Sequence, residues 1–148
     1  MKTFALKRGD LVLSGSQLGM VEGAARTQQQ VGLALRESYG VDRFHPGWGS
    51  VLPSWIGRVI TPDVRQEVQV EVQRVVRNVI TNQNAMIQRR ITRGLSPVVG
   101  PNEIIVGMES VDVIQDQDTL AVRLVVNTAG SATLTVVASP EGTANANS

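Results

Sequence analysis

The chain has 148 residues, with 14 lysines and arginines against 13 acidic residues, one histidine and no cysteine. A domain of this length buries enough surface to fold without disulfides or metals. The composition excludes cysteine-containing zinc sites, iron–sulfur clusters and multi-histidine metal sites. Because a net charge of +1 gives no strong attraction to DNA or anionic lipid, we expect no cofactor, no nucleic acid and no membrane as partner, and a protein partner is favoured.

The N-terminal part predicts a short β-region followed by a helix. No apolar run reaches the ~18 residues of a membrane span, and charges at 7–10 interrupt the first apolar run, so the protein is expected to stay in the cytoplasm where it is made. Short apolar runs around Gly9-Asp10 and after Gly15-Ser16 predict a small β-ribbon, with no internal repeat evident. From residue 23 the apolar spacing becomes three and four residues, which predicts an amphipathic helix over 23–39 ended by Gly40.

A loop and a second helix are predicted next. Residues 41–50 combine proline and glycine turn chemistry with several of the few aromatic side chains, so they cannot form regular structure. Thr61-Pro62-Asp63 supplies a capping hydroxyl, a proline for the first helical position and an acid for the first turn, which predicts a helix from 62 to 93. Alternating valines at 67–72 would also suit a strand, and a break at 81–84 is a further alternative.

The C-terminal third has the alternation of strands. Apolar and polar residues alternate in segments 104–113, 120–126 and 132–137, which predicts antiparallel β-hairpins or a meander. Residues 139–148 are small and polar and are expected to form a disordered tail. The predicted fold is therefore α+β: one domain over residues 1–138 with an N-terminal β-ribbon, two main helices and C-terminal antiparallel β-hairpins.

Enzymatic chemistry has few candidate residues. His45 is the only side chain that titrates near neutral pH, but its aromatic and proline neighbours favour a packed loop residue. A glycosidase would need two carboxylates about 5–10 Å apart, and Glu22, Glu37 and Asp42 are the candidates. Each has a structural explanation beside a helix end or an arginine. We therefore expect no catalytic residue and no metal ligand.

Arginines concentrate on the second predicted helix. Twelve of the fourteen basic residues are arginine, which suits bidentate contacts at protein interfaces. A helix that binds nucleic acid is an alternative, but the acids Glu67 and Glu71 on the same helix favour a protein-facing patch at its C-terminal end. The arginines concerned are Arg74, Arg77, Arg89, Arg90 and Arg93, of which the last three form the predicted patch.

Two tryptophans stand out in a chain with 3% aromatic residues. Trp48 and Trp55 are large side chains, and glycines beside Trp48 permit close approach of the backbone. Two explanations are open: a small core beneath the loop, or an exposed hot spot that binds a protein.

The order of these segments resembles the baseplate wedge family of contractile injection machines, also called tail-lysozyme-like. The resemblance covers a ribbon ending at 20–23, a first helix containing 29–35, and a loop of the form Arg-Phe-x-Pro-x-aromatic-Gly-Ser. The loop positions are filled by Arg43, Phe44, Pro46, Trp48, Gly49 and Ser50.

The resemblance implies a structural subunit of a six-fold virion tail baseplate, assembled in the host cytoplasm, that clamps the larger wedge proteins near the tail hub or tube. It also implies a β-region similar to the strand-exchange domain of the sheath protein, to which sheath subunits add strands. Alternating strands with open edges would permit such addition. The strand residues assigned to this contact are Leu120, Val122, Leu134 and Val136.

Three hypotheses follow. The first is this non-enzymatic wedge component, the second a peptidoglycan-degrading tail lysozyme, and the third a nucleic-acid binder that uses the arginine-rich helix. A phage tail and a cellular secretion or extracellular injection system are equally compatible with the sequence.

Overall fold

A computed structural model describes residues 2–7, 10–14, 17–55, 61–116, 119–139 and 142–145. It confirms the α+β class, with α1 (Gly23–Arg36) and α2 (Pro62–Thr92) between an N-terminal β-region and a C-terminal sheet. Short 3₁₀ helices at Leu52–Trp55 and Pro101–Glu103 precede α2 and the sheet. The strands are β1 (Lys2–Phe4), β2 (Leu6–Lys7), β3 (Asp10–Leu11), β4 (Leu13–Ser14), β5 (Gln17–Leu18), β6 (Met20–Glu22), β7 (Ile105–Asp116), β8 (Thr119–Thr128), β9 (Thr133–Ser139) and β10 (Gly142–Asn145).

The N-terminal β-region is a junction of three two-stranded arms. Strand β1 pairs with β6, β2 with β3 and β4 with β5, all antiparallel. The arms meet in a ring of backbone hydrogen bonds. Ala5 N–H donates to the Gly19 carbonyl at 2.8 Å, Gly19 N–H to the Val12 carbonyl at 2.6 Å, and Val12 N–H to the Ala5 carbonyl at 3.0 Å. These three residues lie seven positions apart, so the segment has a structural repeat that the sequence patterns did not reveal.

Helix α1 is tied to this junction and ends earlier than predicted. Gln29 Oε1 accepts from the Leu6 N–H at 2.9 Å, and its Nε2 donates to the Phe4 carbonyl at 2.8 Å. The helix ends at Arg36 rather than residue 39, because Glu37 is extended, with φ −69° and ψ 137°. Glu37 therefore begins the loop instead of continuing the helix.

Helix α2 is continuous, so the strand alternative at 67–72 and the break at 81–84 are both wrong. The Thr61 hydroxyl oxygen accepts from the Val64 N–H at 3.3 Å and caps the helix as predicted. Burial of one helical face outweighs the preference of valine for strands. The buried valines of this face are Val68, Val72, Val75, Val76 and Val79. Among the described residues, neither helix is long and apolar enough to cross a membrane.

The C-terminal sheet is antiparallel, with strand order β10-β9-β8-β7. Strand β8 is paired on both sides at residues 122–127 and β9 at 136–138, so the prediction of open edges is wrong there, whereas segment 104–113 lies in an outer strand. The outer strands are β7 and β10. Strand β10 pairs with residues 136–139, so this part of the predicted disordered tail is a strand. Residues 140, 141 and 146–148 of that tail lie outside the described residues.

One buried glutamine joins α2 to the start of β7. Gln83 Nε2 donates to the Glu103 carbonyl at 2.9 Å, and its Oε1 accepts from the Ile105 N–H at 3.1 Å. The Thr27 hydroxyl of α1 donates to the same Glu103 carbonyl at 2.8 Å. Both helices therefore fix the point where the chain enters the sheet.

We expect Gln83→Leu to lower the free energy of unfolding by about 2–3 kcal/mol, because the buried Ile105 N–H loses its partner and Glu103 loses one donor. Urea unfolding of the purified variant measures the loss. Gln88→Leu, on the exposed side of the same helix, is the control. Equal losses in the two variants would contradict the assigned role of Gln83.

Candidate functional site

The loop between α1 and the first 3₁₀ helix is fixed at its base by Ser50. Its N–H donates to the Glu37 carbonyl at 2.7 Å, and its carbonyl accepts from the Tyr39 N–H at 3.0 Å. The Ser50 hydroxyl donates to the Leu35 carbonyl at 2.5 Å and accepts from the Leu52 N–H at 3.2 Å. One serine thus satisfies a free carbonyl at the end of α1 and orients the next element.

Gly49 allows the two ends of this loop to touch. Its φ is +93°, and a Cβ at this position would lie 2.7 Å from the Ser38 carbonyl oxygen and 2.9 Å from that of Glu37. Side-chain-bearing residues fit neither the conformation nor the space. The Gly-Ser end of the loop motif is therefore explained by its backbone geometry.

An ion pair on α2 holds the loop from the other side. Arg74 donates through Nε and Nη2 to both carboxylate oxygens of Glu71, at 2.8 and 2.7 Å, and through Nη2 to the Gly49 carbonyl at 2.8 Å. Its guanidinium lies 4.9 Å from the centre of the Tyr39 ring. Glu71 Oε1 also accepts from the Val51 N–H at 2.9 Å. The hydrogen bonds from Arg74 lower the pKa of Glu71 despite its partial burial.

The tip of the loop presents Phe44 to solvent. Asp42 Oδ1 accepts from the Phe44 N–H at 2.8 Å and from the His45 N–H at 3.3 Å, and Oδ2 contacts His45 Nδ1 at 2.9 Å. The hydrogen bond with His45 is the main cause that lowers the pKa of Asp42. This turn is fixed by its own polar groups, yet the Phe44 side chain is 90% exposed.

The structure separates the two tryptophans from this exposed tip. Trp55 is 8% exposed and belongs to the core, which supports a small core beneath the loop. Trp48 is half-buried against the same core, and its indole N–H donates to the Glu37 carboxylate. Arg43 and Pro46 are exposed beside Phe44. Of the aromatic residues that the structure describes, Phe44 is therefore the most exposed, ahead of Tyr39 at 53%.

The predicted strand contacts are core residues instead. Leu120, Val122, Leu134 and Val136 are at most 7% exposed and lie on the two interior strands. Their side chains are not open to a partner, and the backbones of Val122 and Val136 are paired on both sides. The alternation of apolar and polar residues predicts that these residues lie on the buried face of a sheet. It does not predict which strands are interior and which are at the edges.

The three carboxylates considered for catalysis have structural partners. Glu22 lies 3.7 Å from the Lys2 ammonium group, Glu37 accepts from the Trp48 indole, and Asp42 binds the turn around His45. A general acid in a glycosidase needs a raised pKa, whereas the pKa of Asp42 is lowered. No group of three or more acids or histidines suited to a metal ion occurs in the described part of the chain.

Other carboxylates do come together, around a cavity of about 440 Å³ beside Trp55. Asp63, Glu67 and Glu71 follow one another at four-residue spacing on α2, a signal in the sequence from which this grouping could have been predicted. Glu71 is held ionised by Arg74, so it does not provide a general acid. The cavity is lined by Trp55, Asp63, Gln66, Glu67, Val70 and Glu71.

The sequence matches no protein-family model, and no curated protein matches it at a significant level. Among solved structures, the chain is similar to a protein of Geobacter sulfurreducens described provisionally as a tail lysozyme. The TM-score is 0.52 with 12% sequence identity, over 88% of this chain and 94% of that one. The similarity is one of fold.

Proposed function

We propose that the chain is a non-enzymatic structural subunit of a contractile-tail baseplate, and that the loop tip at residues 42–46 docks onto a larger wedge protein near the tail hub. The observation that carries the proposal is the Phe44 side chain, 90% exposed on a loop whose backbone is fixed at both ends. A large apolar side chain on a fixed backbone loses less entropy on binding than one on a mobile loop, and exposed aromatic groups of this kind are typical of hot spots.

Three observations support this assignment. Exposed Arg43 stands next to Phe44, and arginine is enriched in protein hot spots. The loop carries the Arg-Phe-x-Pro-x-aromatic-Gly-Ser pattern that resembles the wedge family. The fold is similar to that of a protein described as a tail lysozyme. A place in the virion and a six-fold arrangement belong to the same proposal.

The proposal assigns the sheath contact to the outer strand β7 rather than to β8 and β9. Val106 and Ile114 of β7 are 60% and 46% exposed. The Val113 carbonyl accepts from Arg65 Nη1 at 3.1 Å. A strand added at this edge would replace that side-chain donor with backbone donors, the usual chemistry of strand addition.

We expect Phe44→Ala to fold normally but to weaken the baseplate contact about 30-fold, because a hot-spot aromatic is worth about 2 kcal/mol or more. The variant gene is expressed in a background from which the wild-type gene has been deleted. Sheathed tails with complete baseplates are then counted by electron microscopy. Val41→Ala, at another exposed apolar position of the loop, is the matched control. Normal tail numbers with Phe44→Ala would refute the docking role.

Peptidoglycan cleavage is the second candidate, favoured by the acid-lined cavity beside Trp55. Release of muropeptides by the purified protein, abolished in Glu67→Gln, would replace the structural proposal. Absence of release at every pH tested, together with tail defects in Phe44→Ala, supports the structural role.

A further inference from the structure

The charges of the chain are strongly segregated. Residues 72–102 contain five arginines and no aspartate or glutamate, although the whole chain has a net charge of only +1. Arg74 is neutralised by Glu71. Within the described part of the chain, no carboxylate lies within 4.0 Å of Arg89, Arg90 or Arg93. The end of α2 is therefore a local cationic surface without internal counter-charges.

This end extends beyond the core. Gln83 is the last buried residue of α2, and the helix continues through residues 84–92, a length of about 14 Å. Two exposed apolar side chains accompany the arginines: Ile91 and Leu95 are 52% and 50% exposed. Apolar side chains grouped at the surface and rimmed by charged groups are typical of an interaction site.

The returning chain shapes this surface into a cavity. Leu95 N–H donates to the Arg90 carbonyl at 2.9 Å, and Arg90 Nε donates to the Ser96 carbonyl at 2.6 Å. These bonds hold Leu95 against the helix end. The resulting cavity has a volume of about 300 Å³ and is lined by Met86, Arg89, Arg90, Arg93 and Leu95.

We propose that this cavity binds an acidic segment of a partner protein, with aspartate or glutamate carboxylates paired to Arg89 and Arg93 and an apolar side chain seated on Met86 and Leu95. Guanidinium groups form bidentate hydrogen bonds with carboxylates. The site is separate from the Phe44 loop, and its failure would leave the docking role of that loop intact.

The apolar floor favours a protein over nucleic acid. A phosphate backbone offers no group to cover Met86 and Leu95, and a surface that follows a nucleic acid carries its cations along a continuous stripe. Here Arg77 is three turns away on the same helix, and residues 78–88 between them carry no charge. An amphipathic segment with carboxylates beside an apolar side chain matches both parts of the cavity.

The test uses the full chain and a helical peptide of about 15 residues in which two glutamates flank a leucine, with a glutamine version of the same peptide as the uncharged probe. We expect the glutamate peptide to bind at least about tenfold more tightly than the glutamine peptide. The double variant Arg89→Gln/Arg93→Gln should lose about tenfold in affinity, and Leu95→Ser should lose severalfold. Calorimetry gives each Kd, and circular dichroism verifies folding.

The matched control removes the same charge elsewhere. Arg77→Gln/Arg123→Gln takes two exposed arginines from other positions and should leave the Kd unchanged. Equal losses in both double variants would show a general charge effect and overturn the proposal. Tighter binding of mixed-sequence duplex DNA, or of vesicles containing phosphatidylserine, that depends on Arg89 and Arg93 but not on Leu95 would also overturn it.

Discussion

Gly49→Ala is expected to lower the free energy of unfolding by about 3 kcal/mol or more. The added methyl group would lie 2.7 and 2.9 Å from two carbonyl oxygens of residues 38 and 37, and alanine would have to adopt a φ of +93°. Neither neighbour can give way, because residues 37 and 39 are both hydrogen-bonded to Ser50. Relief therefore requires the loop to separate from the end of α1.

Urea unfolding at neutral pH measures this effect, and a nearby glycine gives the control. An alanine Cβ at Gly47 would have nothing within 4 Å, so Gly47→Ala should change stability by less than about 1 kcal/mol. The Gly49 variant should also loosen the backbone that carries Phe44, and under the proposed docking role this predicts a defect in tail assembly. A Gly49 variant as stable as wild type would contradict the close approach of the two strands of this loop.

Arg74→Met is expected to lower the free energy of unfolding by about 2–3 kcal/mol at neutral pH. The substitution removes the donors to Glu71 and to the Gly49 carbonyl and leaves a largely buried carboxylate without its cation. A fully buried pair would cost more when broken, but the Arg74 side chain is 34% exposed and water screens part of the loss. Arg77→Met, on the exposed side of α2, is the control.

The pH dependence gives a second measure of this pair. Because the pKa of Glu71 is lower in the folded protein than its ordinary value of 4.5, the unfolded chain binds the proton more readily in the acid range. The stabilisation that ionised Glu71 gives to the folded protein is complete above pH 4.5, its ordinary pKa. This stabilisation is lost as the pH falls through the lower pKa that Glu71 has in the folded protein. The stability gap between wild type and Arg74→Met should therefore narrow between pH 7 and pH ~3. A constant gap would contradict the ion pair.

Local signals predicted the helices and the sheet class well. The Thr61-Pro62-Asp63 start was confirmed by the Thr61 cap, and the three alternating segments became β7, β8 and β9. These features depend on residues close together in the chain, so the hydrophobic periodicity and the helix-capping residues are sufficient to predict them. The early end of α1 depends instead on Ser50, a contact 13 positions away from Glu37.

Long-range pairing explains what the sequence did not predict. Alternation at Leu120 and Val136 is the same for an interior and an outer strand, so the pattern alone does not locate the sheet edge. The size of a tryptophan does not reveal its burial: Trp55 packs into the core, whereas Phe44 is the most exposed aromatic residue in the described part of the chain. The sequence places Arg74 on a helix, but its contact with the Gly49 carbonyl depends on how the loop returns to α2, which local patterns do not specify.

The three-armed junction has a consequence for the insertions that this chain can accept. The backbones of Ala5, Val12 and Gly19 form the ring of hydrogen bonds at the centre, and the described residues farther out on the β2–β3 and β4–β5 arms take no part in that ring. Adding two residues to each strand of an arm would extend its reach by about 7 Å and leave the helices in place. The length of each arm is therefore uncoupled from the packing of the helices against the sheet.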